Sequence, residues 1–258
     1  MLSHNLSASS PHGEMVRGFS LIEMAIVLFI VALLLGGLLP TVSSQMEQQH
    51  RNETRKQLDE IQQALLGYVL TNGRFPCPAD GTTPSGQTNA AGISAGAEYK
   101  NPAAGSPFTC NNTLGVLPWA TLSVSEMDAW GRRFTYSVTS AYADSTDGTG
   151  CAGPVTIGTS FQLCSTGNLT VLTSFGGTNI AANIPAVIIS HGANGLGAYT
   201  SSGQKILPLP AANTDEGENT DTNTNFVSHD FTPTFDDLVV WVSPNILINR
   251  MVSAGKLP

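Results

Sequence analysis

Seven carboxylates, Asp215, Glu216, Glu218, Asp221, Asp230, Asp236 and Asp237, fall between Lys205 and Arg250 with no lysine or arginine among them. Hard oxygen donors gathered in a loop suit Ca2+, which takes about six to eight oxygens, backbone carbonyls included. The competing reading is a solvated acidic surface with no ion. His191 and His229 are the transition-metal candidates, but neither sits in an H-E-x-x-H or comparable cluster, so turn and surface roles are expected. Ser94, inside "GISAG" (92–96), matches G-x-S-x-G, and Asp221 and His229 follow it in the order of a hydrolase triad. That turn needs a strand before the serine and a helix after it, and neither is evident, so no catalytic residue is assigned. The glycines of "SHGANGLG" (190–197) lack the spacing of a dinucleotide fingerprint. Cys77, Cys110, Cys151 and Cys164 show no C-x-x-C spacing, which favours disulfides over a metal knuckle. Four cysteines allow three connectivities; pairing of sequence neighbours, Cys77 with Cys110 and Cys151 with Cys164, is the expectation.

These groups need a scaffold, and the 258 residues suffice for one globular domain plus a membrane element, with 41% hydrophobic and 12% charged residues. A formal net charge of −8 argues against a nucleic-acid partner, which calls for a basic surface. Residues 41–70 contain no proline, and Val42, Met46, Leu58, Ile61, Leu65 and Tyr68 form one stripe at helical spacing. Gly73, Pro76 and Pro78 end that helix. Residues 79–115 read as a long loop tied down at Cys77 and Cys110. In "MDAWGRRFTYSV" (127–138), Asp128 and Gly131 make a turn, and Phe134, Tyr136 and Val138 alternate as the buried face of a strand. Further strands are expected at 186–190 and 238–243, and a hairpin from "SFQLC" to "LTVLT" turning at 165–168. The fold class expected is α+β, a long N-terminal helix with a membrane half and an amphipathic half, packed on a small antiparallel β-sheet with long loops.

Phe19 to Pro40 spans 22 residues, about 33 Å as a helix, and nothing polar occurs from Met24 to Leu39. Glu23 stands inside its N-terminal end, where an unpaired carboxylate costs several kcal/mol and is by default a functional residue. Arg17 precedes the run and no lysine or arginine follows until Arg51, favouring a cytoplasmic N-terminus. The stretch "GFSLIEMAIVLFIVALLLGGLLP" (18–40) closely resembles the N-terminus of type IV pilins and of the pseudopilins of type II secretion. The resemblance implies cleavage between Gly18 and Phe19 by a prepilin peptidase, which also methylates the new amine. It also implies that Glu23 neutralises a neighbouring subunit's N-terminus during assembly. Pro40 falls where many of these proteins kink their helix.

"DAWGRRFTY" (128–136) is similar to a stretch of the major pseudopilin, whose following loop binds calcium. Here "SHGANGLGA" (190–198) looks similar, with Asn194 in place of an aspartate. By that resemblance, Leu196 would join Asp215, Glu216, Glu218 and Asp221 around Ca2+. The organisation implied is a leader at 1–18, a transmembrane or filament-core helix at 19–40, its amphipathic continuation at 41–72, and a periplasmic or extracellular pilin-like domain at 73–258. The chain is expected to wait as a single-pass protein of the bacterial inner membrane and then enter a pilus or pseudopilus. Its partners would be the peptidase, other copies or related subunits, the inner-membrane assembly platform and membrane lipid. An adhesive, substrate-binding minor pilin is the second expectation, and a membrane-anchored hydrolase the third.

Overall fold

The computed structural model describes residues 18–101, 108–145 and 158–258, with the side chains of 35–43 excluded. The leader before Gly18, the Pro40 side chain and Cys151 lie outside that set. The chain divides into two compact units, Met1–Met46 and Glu47–Pro258.

In the first unit, Gly18, Phe19 and Ser20 are exposed and precede helix α1 (Leu21–Asn72). The helix starts here because Ser20 Oγ accepts from the amides of Ile22 (3.2 Å) and Glu23 (3.4 Å), while Glu23 Oε2 accepts from the Ser20 amide at 2.8 Å. This reciprocal S-x-x-E cap satisfies amides that the first helical turn otherwise leaves without partners. Every described side chain from Phe19 to Leu34 is exposed, Leu21 at 93%.

In the second unit α1 becomes amphipathic. Thr54, Leu58, Ile61, Leu65 and Val69 recur every three or four residues and all are buried. Gly73 stops the helix with φ +70°, its amide donating to the Val69 carbonyl at 2.8 Å. A Cβ there would lie 1.8 Å from the Gly158 carbonyl oxygen, so only glycine fits.

Among the described residues the remaining elements are β1 (Lys100–Asn101), β2 (Thr109–Cys110), β3 (Leu114–Val116), α2 (Trp119–Leu122), β4 (Thr135–Val138), a 3-10 turn (Ser140–Tyr142), β5 (Leu169–Leu172), β6 (Asn179–Ile184), β7 (Ala186–Ser190), α3 (Asp215–Glu218), β8 (Asn225–Val227), β9 (Leu238–Val242) and α4 (Pro244–Ser253). Strands β1 and β2 form a small ribbon; β3-β4-β7-β9 form an antiparallel sheet; β6-β5-β8 form a third sheet in which β5 and β8 run parallel. Strand β7 explains the layering. Ala186 and Ile188 join Leu58, Leu65, Phe134, Tyr136 and Met251 in one cluster. Val187 and Ile189, pointing the other way, join Leu169, Val171 and Phe226 in a second. The four-stranded sheet is therefore covered on one face by α1 and α4 and on the other by the third sheet, which is why "AVIIS" is apolar at nearly every position.

Arg133, fully buried, gathers the loops at one end. Its guanidinium donates to the carbonyls of Gly81 and Thr83 (both 2.9 Å), to Ser85 Oγ (3.1 Å), to the Ser201 carbonyl (3.3 Å) and twice to Glu126 Oε1. Below the ribbon, Arg74 grips Glu98 through two bonds of 2.8 Å.

The expected architecture is corrected on three points. Among the described residues no helix is long and apolar enough to cross a membrane. The expected single small antiparallel sheet is replaced by three sheets, one with a parallel pair, because β7 buries both its faces and demands a second layer. The expected hairpin at 165–168 does not form: β5 pairs instead with β6, and in parallel with β8.

Candidate metal centre

The sequence around Asp128 builds the scaffold. Asp128 Oδ1 accepts from the amides of Trp130 (3.0 Å) and Arg132 (2.9 Å), while Oδ2 accepts from Ser190 Oγ at 2.6 Å. The turn is thereby fastened to the end of β7. Burial raises the Asp128 carboxyl above its ordinary range, against the pull of Ser190 and these amides. Arg132, delivered by this turn, donates to the carbonyls of Gly192 (3.1 Å) and Ala193 (2.7 Å) and holds the loop after β7. Gly192 has φ +54°, and a Cβ there would stand 2.3 Å from the Asp236 carbonyl oxygen. The loop lies against the approach to β9 because the residue is glycine.

Strands β7 and β9 pair with Ser190 opposite Leu238, so His191 and Asp237 follow as neighbours across the strand ends. Glu216 arrives from α3, whose first turn is capped by Thr214 Oγ1 accepting from the Gly217 amide. Glu216, Asp236 and Asp237 then each offer a carboxylate oxygen within 4.8 Å of the others. Asn194 cross-links two of them, its Nδ2 donating to Glu216 Oε1 and its amide to Asp236 Oδ2, both at 2.8 Å. Asn219 Nδ2 donates to Asp237 Oδ2 at 2.8 Å. Asp236 Oδ1 is buried and has no hydrogen-bond partner. Burial, with repulsion from Asp237, raises the Glu216 and Asp236 carboxyls above their ordinary range, while Asn194 pulls both down. Three crowded carboxylates with a spare oxygen are a donor set that a divalent cation fits.

Of the five residues expected to bind calcium, only Glu216 belongs to this group. Asp215 faces His229 Nε2 at 3.0 Å and accepts from the Phe175 amide at 2.6 Å. Glu218 accepts from Asn223 Nδ2 at 3.3 Å, and Asp221 accepts from the amide and side chain of the same Asn223. Leu196 donates its amide to Asn194 Oδ1 at 2.8 Å. Asp236 and Asp237 were visible as acids, but only the folded chain brings them, on the approach to β9, to Glu216 on α3. His191 is not the turn or surface residue expected: its side chain is 1% exposed. His229 is partly exposed and stacked on Phe235, with ring centroids 3.9 Å apart. Ser94 lies in a loop where its carbonyl accepts from the Ala97 amide, and among the described residues no hydrogen bond joins it to Asp221 or His229.

Cys77 and Cys110 form a disulfide that ties the end of the 79–110 loop. Cys164 is disulfide-bonded as well. Comparison with known proteins finds no matching family model, no matching curated protein and no matching solved structure.

Proposed function

We propose that the protein is a structural subunit of a bacterial filament, a type II secretion pseudopilin or a type IV pilus minor pilin, cut between Gly18 and Phe19 and assembled through the first part of α1. The observation that carries this reading is an apolar helical surface, exposed from Phe19 to Leu34, whose one carboxylate stands in its first turn directly after an accessible Gly18-Phe19 bond. A surface of that kind requires a covering partner. Other subunits cover it in the polymer, where the run Met24–Leu39 is free of polar residues. Glu23 neutralises the new Phe19 amine of an adjoining subunit. In the globular unit, Glu216, Asp236 and Asp237 hold a divalent cation that stiffens the loops between sheets; carboxylates alone select Ca2+. The role is mechanical and needs no catalytic residue.

Mass spectrometry of the mature chain tests the export route: an N-methylated Phe19 is expected in a host with the peptidase. A chain still starting at Met1 in that host defeats the proposal.

A further inference from the structure

A cleft of about 160 Å3 opens beside β3 and the first residue of β4, Thr135, and is lined on its other sides by Tyr199, Lys205, Asp221 and Thr222. Its walls are fixed from behind. Tyr199 and Lys205 pair across a short turn in which the Thr200 amide donates to the Gln204 carbonyl at 2.9 Å, and the Tyr199 carbonyl accepts from the Arg133 amide at 2.8 Å. Opposite, Asn219 Nδ2 donates to the Val227 carbonyl (3.1 Å) and to Asp237 Oδ2 (2.8 Å), and its Oδ1 accepts from the Val227 amide (2.8 Å), which anchors the stretch leading to Asp221 and Thr222. Gly197, at φ +88°, lets Thr220 close the gap, since a Cβ there would lie 2.4 Å from Thr220 Cγ2.

The polar groups inside this cleft are not matched to one another. Among the described residues Lys205 Nζ makes no hydrogen bond and no ion pair; its one charge contact is with the Tyr199 ring, 5.9 Å from the centroid. Burial pushes the Lys205 ammonium below its ordinary pKa, and no carboxylate draws it back. A partly buried cation in that position calls for an anion. Asp221 accepts from the Asn223 amide (2.9 Å) and Nδ2 (2.7 Å), yet a carboxylate has about four acceptor sites, so its oxygens can take further donors. The Thr222 hydroxyl makes no hydrogen bond among the described residues. A dianion such as phosphate would be repelled by Asp221, whereas a monoanion bearing hydroxyls suits both charges. The volume equals roughly five waters at about 30 Å3 each, well below the roughly 300–1,000 Å3 of sites for drug-sized ligands.

We propose that this cleft binds a small hydroxylated monocarboxylate, of the size of one sugar-acid ring, with its carboxylate on Lys205 Nζ and its hydroxyls on Asp221 and Thr222. All of these residues belong to the unit Glu47–Pro258, and the proposal does not depend on the filament reading.

The test titrates the full-length protein in detergent with D-glucuronate, read by calorimetry and by saturation-transfer NMR on the sugar signals. Saturable binding is expected, with D-glucose, the same ring without the carboxylate, at least about tenfold weaker. Lys205→Met should lose on the order of 10–100-fold in glucuronate affinity, and Thr222→Val about 2–10-fold. No saturable glucuronate binding, glucose binding as tight as glucuronate, or an affinity that Lys205→Met leaves unchanged overturns the proposal. Full displacement of glucuronate by an equal concentration of inorganic phosphate overturns it as well, because the cleft would then read charge and not hydroxyls. Should Lys205→Met fail to fold, the wild-type preference for glucuronate over glucose and phosphate decides the matter.

Discussion

Among the described residues, Glu98 is a carboxylate closely committed to its neighbours. It accepts two bonds from Arg74, one from the Cys77 amide at 3.3 Å and one from Tyr68 OH at 3.4 Å, and Lys100 Nζ lies 3.2 Å away. Burial pushes its pKa up, but the hydrogen bonds and charge of Arg74, then Lys100, bring it below the usual value. The Tyr68 phenol, chiefly through burial, is pushed up to about 12. A folded pKa below the unfolded one means that Glu98 stabilises the protein above about pH 4.3 and that this contribution fades as pH falls through the folded value. Thermal unfolding of Glu98→Gln should therefore show a flatter acid limb below about pH 4.3 than the wild type. At neutral pH, Arg74→Ala, which strands the carboxylate among buried neighbours, should cost about 3 kcal/mol by urea titration. A wild-type acid limb in Glu98→Gln would mean that other carboxylates govern it. None of this was legible in the sequence, because Arg74, Glu98 and Lys100 meet only once the chain from 77 to 110 has folded back on itself.

Among the elements, α1 carries two separable signals. Its first turn is capped by Ser20 and Glu23, a pattern readable from "SLIE" but overshadowed in the sequence by the question of charge in lipid. Capping and charge pairing predict different outcomes for Glu23→Gln. Glutamine can close the same cap, so a residue needed only for helix initiation should tolerate it, whereas Glu23→Ala should not. If Glu23 neutralises a neighbour's amine, both variants should fail to assemble in a filament-shearing assay while keeping normal helix content. Further along, Leu65→Ala removes a fully buried side chain from the main core and should cost about 2–5 kcal/mol in chemical denaturation. The stripe through Leu58, Ile61 and Leu65 was legible from spacing alone, as were strands β4, β7 and β9. The second layer was not: short strands such as β5 and β8 carry too little periodicity, and their parallel pairing depends on contacts between residues more than fifty positions apart. The same limit hid the acidic cluster, since acids at 216 and 236–237 reveal nothing of their proximity until α3 and the approach to β9 are folded together.

At the scale of the whole molecule, the 79–110 segment has little secondary structure to hold it and depends on cross-links. The Cys77–Cys110 bridge closes a loop with a sequence separation of 33. By chain entropy such a closure contributes about 3–4 kcal/mol. Replacing both cysteines by serine should lower the urea midpoint accordingly. Equal midpoints with and without the bridge would show that the ion pairs beneath it suffice.

Arg133 reaches further than its own stability contribution. Its five N–H donors are divided among segments near 81–85, 126 and 201, and lysine, with three donors on one nitrogen, has no means of serving them all. Those stretches are thus tethered to one another: a chimaera that replaces one of them alone with an unrelated loop should unfold at a lower urea concentration than one that keeps all three. Displacing any one of these three segments is felt by the other two through a single side chain.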